Sequence, residues 1–281
     1  MTSIDAHIHV VPPRLPGVGP LSPLLNGPPE ALASALRREM QAAGVTTALA
    51  MGCCPASDDD PLGIASTLRI AERVPGLYAI GVADPTRSDP GHLRRVEAAL
   101  AGGRVKALKG YLGYLHFGPD HPGYAPYYEL ASRYRLPFVF HTGDTYSPYA
   151  KLKYAHPLGV DDVAVDFPET RFVMAHLGNP WLADAAEVIY KNMNVWADLS
   201  GLAVGTEADF TAAERQDALN DLRAGVGRAF RYAERPNRFL YGTDWPLAPM
   251  AAYRDFVRTL VPAEFHDSVF AENARTLFRI G

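Results

Sequence analysis

The segment Ser3-Ile4-Asp5-Ala6-His7-Ile8-His9-Val10 is a short run in which polar and apolar residues alternate. This period of two residues predicts a β-strand. Because successive side chains of a strand point to opposite faces, we expect Asp5, His7 and His9 to share one face and the apolar residues to take the other. A proline-rich loop follows, and a helix is predicted to begin near Pro29 and to end at Gly44.

The same order of a strand followed by a helix recurs along the sequence. Apolar runs predict eight strands, at residues 3–10, 46–51, 77–82, 105–109, 137–141, 171–176, 195–199 and 238–244. Segments such as Phe138-Val139-Phe140 are apolar on both faces, which is typical of parallel strands covered by helices. Eight units give about 35 residues each, the size of a parallel crossover. Although this length could form about two domains, the repeat favours one α/β domain over residues 1–281, a (β/α)8 TIM barrel with an additional C-terminal helix.

Composition and charge exclude several classes of protein. The formal net charge is −4 and no basic run is present, so nucleic acid is not an expected partner. No run approaches the roughly 18 apolar residues of a membrane span, and the first residues do not resemble an export signal. The cysteines are the neighbours Cys53 and Cys54, and adjacent cysteines rarely form a structural disulfide. We therefore expect a cytoplasmic protein with no membrane partner.

Polar residues follow the apolar part of several predicted strands. His7 and His9 lie two residues apart on the first strand, a spacing that lets two imidazoles bind one metal ion from one side. His141, His176 and Asp244 end the fifth, sixth and eighth strands. The C-terminal ends of the strands of a barrel meet at one mouth, where active sites form. The sequence therefore predicts a cluster of four histidines and one aspartate with metal-binding chemistry.

Five motifs together resemble the amidohydrolase superfamily. They are most similar to its amidohydrolase-related (amidohydrolase 2) branch, which includes aminocarboxymuconate semialdehyde decarboxylase and metal-dependent lactonases. The motifs are Asp5-Ala6-His7-Ile8-His9, Phe140-His141-Thr142-Gly143, Ala175-His176-Leu177-Gly178, Tyr241-Gly242-Thr243-Asp244-Trp245-Pro246 and Glu272-Asn273-Ala274-Arg275-Thr276-Leu277. They extend over nearly the whole chain, and they are specific for the fold and the metal site but not for the substrate.

The resemblance implies a metal centre and a role for each of its residues. The ligands of one divalent ion would be His7, His9, His141 and Asp244. The ion is zinc in most relatives, with manganese as the alternative. His176 would stand beside the metal as an electrophile or a proton-transfer group, and Asp244 would also carry a proton in catalysis. Asp5 would orient a ligand imidazole from behind.

Lys109 departs from the pattern of the nearer branch. In other branches of the superfamily a lysine at the end of strand four is carboxylated and bridges two metals. The nearer branch has one metal, so a second ion is not expected. The other interpretations of Lys109 are a positive side chain that binds a substrate carboxylate and a salt bridge at the rim. Tyr111 and Trp245 follow strands four and eight, and we expect them to line the substrate site with Lys109.

Three functions are compatible with these residues. The leading hypothesis is a metal-dependent hydrolase that uses metal-activated water on an ester, lactone or amide bond of a small organic acid derivative. The same groups could serve a metal-dependent, non-oxidative decarboxylase of a small unsaturated or aromatic acid. The third alternative is a catalytically silent barrel that acts as a binding or scaffold protein. A small carboxylated molecule is the expected substrate, and a homodimer is a common arrangement for soluble enzymes.

Overall fold

The apolar runs form eight parallel strands in a computed structural model, which describes residues 2–281. The strands are hydrogen-bonded in chain order. Their bounds are β1 Ser3–Ile8, β2 Val45–Met51, β3 Leu77–Val82, β4 Val105–Gly110, β5 Pro137–Phe140, β6 Arg171–Met174, β7 Val195–Asp198 and β8 Phe239–Leu240. The last strand is much shorter than the predicted 238–244: directly after it the backbone N–H of Tyr241 donates to Val269 O, which lies outside the sheet.

Helices alternate with the strands and cover the outside of the sheet. Their bounds are α1 Pro29–Ala43, α2 Ala65–Ala71, α3 Pro90–Ala101, α4 Ala125–Arg133, α5 Leu158–Asp166, α6 Leu182–Lys191, α7 Gln216–Ala233, α8 Met250–Leu260 and α9 Asn273–Phe278. As predicted, α1 begins with a proline in its first turn and ends at Gly44 in the left-handed conformation. None of the helices in the described part of the chain is long and apolar enough to cross a membrane.

The two ends of the sheet meet and close the ring. The backbone N–H of Ala6 donates to Tyr241 O, and that of His9 donates to Trp245 O at 2.7 Å. In return, the N–H of Asp244 donates to His7 O at 2.8 Å. These bonds join the first and last strands, so the predicted (β/α)8 TIM barrel with a C-terminal helix is confirmed.

Two apolar layers hold the barrel together. The larger layer lies between the strands and the surrounding helices and includes Phe138, Phe140 and Tyr128. The smaller one fills the inside of the ring, and we call it the floor; it joins strand residues to the end of the chain, with Leu277 and Phe278 among its members. The C-terminal helix therefore plugs the barrel at the N-terminal ends of its strands.

A β-bulge in β1 overturns the predicted alternation of its side chains. The pairing of β1 with β2 shifts between Asp5 and Ile8. Ile4 and Ala6 pack in the floor, whereas Ile8 packs in the outer apolar layer. The extra residue of a bulge moves the side chains after it to the other face. Asp5 therefore does not share a face with His7 and His9.

Candidate active site

The C-terminal ends of the strands surround a cavity of about 270 Å³. The five residues predicted to form the cluster all line it: His7, His9, His141, His176 and Asp244. Each lies near or after the C-terminal end of a strand, β1, β5, β6 or β8, so the barrel brings side chains that are distant in sequence to one mouth. The cavity is therefore the candidate active site.

Three of these residues form a compact group of possible metal ligands. His7, His9 and Asp244 each offer one ligand atom, and the three atoms lie within 4.8 Å of one another. Asp244 Oδ1 is 3.3 Å from His9 Nε2 and 3.6 Å from His7 Nε2. All three side chains are buried. Nitrogen and carboxylate oxygen at this spacing are the donor set of a zinc site with an open position.

Hydrogen bonding leaves two acceptor atoms of this group facing each other. His7 Nδ1 lies 2.9 Å from Asp198 Oδ2, which can only accept a hydrogen bond as a carboxylate, so Nδ1 carries the proton and Nε2 is bare. The bare Nε2 thus faces Asp244 Oδ1, another acceptor, and this buried oxygen has no hydrogen-bond partner among residues 2–281. Facing acceptors repel each other unless a cation lies between them. The residues present therefore fit a divalent metal ion.

The charge states suit this interpretation. Burial, together with the positive charge of Lys109, lowers the pKa of His7 to about 4, so its ring is neutral at pH 7. Burial alone would raise the pKa of the Asp244 carboxyl, but the contact with the His9 ring holds it well below its ordinary value. A neutral imidazole and an ionised carboxylate are the forms that bind metals.

His141 reaches the cavity but does not join this group. Its Nε2 lies 2.9 Å from the carbonyl oxygen of Asp144, so Nε2 is the donor and Nδ1 is left bare. Its ring packs against Tyr114 and His176. In the described residues it belongs to no set of three possible ligands within 4.8 Å of one another.

His176 is held at the cavity by a strained backbone and a polar network. Its φ of 61° lies in the left-handed region, which is unfavourable for a residue with a side chain. The carboxylate of Asp198 accepts the backbone N–H of His176 at 3.0 Å, and this bond helps to maintain the conformation. On the other side of its ring, Nδ1 lies close to Ser200. Strain of this kind is concentrated at functional sites.

Asp5 makes no hydrogen bond to an imidazole within residues 2–281, in contrast to the role expected for it. Its Oδ1 accepts the backbone N–H groups of His7 and Thr243, and its Oδ2 accepts the Thr243 hydroxyl at 2.6 Å. The bulge turns Asp5 away from the metal-ligand group and toward the last strand. Asp198, and not Asp5, is the carboxylate that orients the His7 ring.

The three predicted substrate residues have different surroundings. Lys109 lines the cavity, is 1% exposed, and its Nζ has no hydrogen-bond partner within residues 2–281. Tyr111 also lines the cavity, but its hydroxyl donates to Gly52 O at 2.6 Å. Trp245 lies instead in the outer apolar layer, directly after Asp244, whose backbone is in the left-handed region.

Two functional candidates are absent from the sequence prediction. Asp198 ends β7, so the strand-end rule that identified His141 and His176 would also have found it. Arg215 lines the cavity from the long connection between β7 and α7. No spacing or motif in the sequence marks this arginine.

Solved structures from three bacteria share the fold over almost their full length. An amidohydrolase from Burkholderia multivorans with bound zinc is 18% identical, with a TM-score of 0.68 and coverage of 100% of both chains. A 2,6-dihydroxybenzoate decarboxylase from Rhizobium is 15% identical, with a TM-score of 0.69 and coverage of 100% of this chain and 99% of that one. A probable 2-pyrone-4,6-dicarboxylic acid hydrolase from Acinetobacter baumannii is 14% identical, with a TM-score of 0.65 and coverage of 100% of both chains.

The family is given by the sequence itself. No curated protein matches the chain. The family model described as Amidohydrolase matches residues 4–280, which include the candidate metal ligands and the floor. With the TIM barrel and the histidine-rich mouth already in place, this chain belongs to the amidohydrolase family.

Proposed function

We propose that this protein is a metal-dependent hydrolase that cleaves an ester, lactone or amide bond in a small organic acid derivative. The ligands of one divalent ion would be His7, His9 and Asp244, with His141 as the fourth. The observation that carries the proposal is the convergence of bare acceptors at the mouth: His7 Nε2 faces the unpartnered Asp244 Oδ1. Such a buried arrangement is costly without a cation.

The residues around this group have separate tasks in the proposed reaction. A bound divalent ion would lower the pKa of water toward about 7 and polarise a carbonyl group. Asp244, as an ionised carboxylate, can accept a proton from the attacking water and pass it to the leaving group. Asp198 holds the His7 ring in the tautomer that a metal needs.

The chemistry of the cavity favours a carboxylated substrate. Lys109 Nζ is buried without a hydrogen-bond partner in the described chain, so a ligand anion would compensate its charge. Arg215 offers a second positive side chain among the lining residues. The rings of Tyr111 and Tyr114 supply apolar walls on which a small planar or cyclic body can pack.

The metal centre is tested by measuring the metal content of a double variant. We expect about one equivalent of zinc in the gently purified protein, and almost none when His7→Ala and His9→Ala are combined. His266→Gln is the matched control, since that ring hydrogen-bonds to Val261 O in another part of the chain. Unchanged metal in the double variant would refute the proposed centre. Manganese in place of zinc would change the assigned metal, and two equivalents would favour a bridging, carboxylated Lys109.

The second candidate function is a non-oxidative decarboxylase of a small unsaturated or aromatic acid. It is supported by the shared fold with the Rhizobium decarboxylase and by the buried, unpaired Lys109, which would hold a carboxylate at the mouth. Product analysis separates the two candidates. Hydrolysis of lactone and ester panels would yield a new acid without gas, whereas release of CO₂ from aromatic or muconate-type acids would overturn hydrolysis.

A further inference from the structure

The residues that follow β7 determine which nitrogen of His176 carries the proton. Nδ1 of His176 lies 3.1 Å from the carbonyl oxygen of Ser200 and 2.9 Å from its hydroxyl oxygen. A carbonyl oxygen can only accept a hydrogen bond, so Nδ1 must be the donor. In the unmodified protein this contact requires a proton on Nδ1, but it is the longer of the two, so the shorter contact to the hydroxyl is needed to hold the ring in place.

The Ser200 hydroxyl acts as an acceptor too, because its own proton is already engaged. Ser200 Oγ lies 2.5 Å from Asp198 Oδ1, and this oxygen also accepts the backbone N–H groups of His176 and Ser200. Since Asp198 receives bonds from all these donors, the hydroxyl proton points to the carboxylate. The lone pairs of Ser200 Oγ remain for the N–H of His176.

The next residue confines the ring from the same side. A Cβ at Gly201 would lie 2.7 Å from His176 Nδ1 and 3.0 Å from Asp244 Oδ2, and its φ is +61°. No side chain fits there without displacing the imidazole. The Nε2 side of His176, in contrast, makes no hydrogen bond within residues 2–281, and the residue lines the cavity.

We infer that Ser200 is a positioning residue that holds His176 as the Nδ1–H tautomer and leaves Nε2 as a bare proton acceptor toward the cavity. Of the two roles open to His176, this tautomer selects proton transfer: a neutral ring without a proton on Nε2 cannot donate a hydrogen bond to a substrate carbonyl. The ring must first take a proton at Nε2 before it can give one. This catalytic role rests on the proposed function, whereas the tautomer does not.

The tautomer can be read without any substrate. Long-range ¹H–¹⁵N correlation spectra of histidine-labelled protein, zinc-loaded and metal-free, distinguish a protonated ring nitrogen from a bare one. The His176 signals are assigned from their absence in His176→Gln. We expect Nδ1 to show the protonated shift and Nε2 the bare shift in the unmodified protein. An Nε2–H tautomer in the unmodified protein would overturn the inference.

The role of Ser200 is tested by two substitutions. Ser200→Ala should bring the two nitrogen shifts of His176 toward each other, as the Nε2–H form becomes populated, and lower kcat about tenfold with little change in KM. Ser200→Thr, which keeps the hydroxyl, should restore the tautomer. Unchanged shifts and kcat in Ser200→Ala, or equal losses in both variants, would overturn the assignment. Failure to hydrolyse any ester, lactone or amide would instead refute the proposed function and leave the tautomer unaffected.

Discussion

The mouth and the floor lie inside the same ring of strands and have opposite chemistry. On β4, Ala107 belongs to the apolar floor and Lys109 lines the mouth. On β5, Val139 and His141 make the same change two residues apart. On each of these strands, successive inward-facing residues are two positions apart, and one fills the barrel while the next lines its cavity.

The two regions therefore contribute differently to stability. The floor buries apolar side chains, which stabilise the fold roughly in proportion to the area they remove from water. The mouth buries Lys109 Nζ and Asp244 Oδ1 without hydrogen-bond partners in the described chain, and such groups cost free energy. If this contrast is correct, a substitution at the mouth should impair metal binding or activity without lowering the free energy of unfolding. A substitution in the floor should lower the free energy of unfolding without affecting metal binding.

The largest effect is expected from Asp244→Asn at the mouth. Asparagine tolerates the left-handed backbone of this position, where φ is 61°, so the fold should be kept. Removal of the charge should abolish stoichiometric metal binding and lower activity at least about 10²-fold. The free energy of unfolding of the metal-free protein should change little, because loss of an unpartnered buried oxygen offsets loss of a carboxylate whose pKa is held below its ordinary value. A clear loss of stability in urea would contradict the contrast.

Phe278→Ala is the corresponding change in the floor. Phe278 is 1% exposed and packs inside the barrel in the C-terminal helix. Its truncation should lower the free energy of unfolding by about 3–5 kcal/mol. Metal content per folded molecule should not change, because the cavity lies at the opposite ends of the strands. Loss of metal without loss of stability would show that the two regions are not independent.

Much of this contrast could be predicted from the sequence, because the apolar part of a strand and the polar residue at its C-terminal end are each visible as a pattern of residue types. Apolar runs predict the strands, and a polar residue at the end of a run predicts the mouth, as for His141 and His176. Lys109 lies near the end of β4 and meets the same rule. Asp198 satisfies this rule as well, since it is the last residue of β7, so the sequence carries a signal for it too.

The remaining features depend on contacts that spacing does not contain. The bulge in β1 appears in its pairing with β2, and Asp5 bonds to Thr243 instead of orienting a ligand imidazole. The backbone of Asp244 is in the left-handed region, and Trp245, which follows it, packs in the outer apolar layer. The orientation of the His141 ring is determined by a carbonyl of the following loop. None of these is visible in a pattern of residue types.

The substitution Lys109→Met tests whether the buried lysine charge at the mouth lowers the free energy of unfolding while it serves substrate binding. Burial lowers the pKa of Lys109 from 10.5 to about 8 in the folded, metal-free protein. At about 1.4 kcal/mol per pKa unit, the folded state is destabilised by about 3 kcal/mol at pH 7, where both states are protonated. Above pH 8 the folded state releases this proton before the unfolded state does, so the penalty declines and disappears near the unfolded pKa.

The variant should therefore be more stable than the unmodified protein at pH 7, and the difference should shrink as the pH rises from 8 toward 10.5. Urea unfolding of both metal-free proteins at pH 7 and pH 9.5 measures it. A constant difference across this range would show that lost packing, and not the lysine charge, is responsible. In parallel, KM for a carboxylated substrate should rise in Lys109→Met.

The smallest effects come from a matched pair on β1, which tests the bulge that divides floor from mouth. Ile4→Val removes one methylene from the floor, and Ile8→Val removes one from the outer layer between two candidate metal ligands. Each should cost about 0.5–1.5 kcal/mol of unfolding free energy. Metal affinity should be unchanged in Ile4→Val. Because Ile8 points away from the cavity, its substitution should also leave metal affinity within about threefold, a change below 1 kcal/mol. A larger loss of affinity in Ile8→Val would mean that its side chain supports the ligands directly and that the bulge does not separate the two layers.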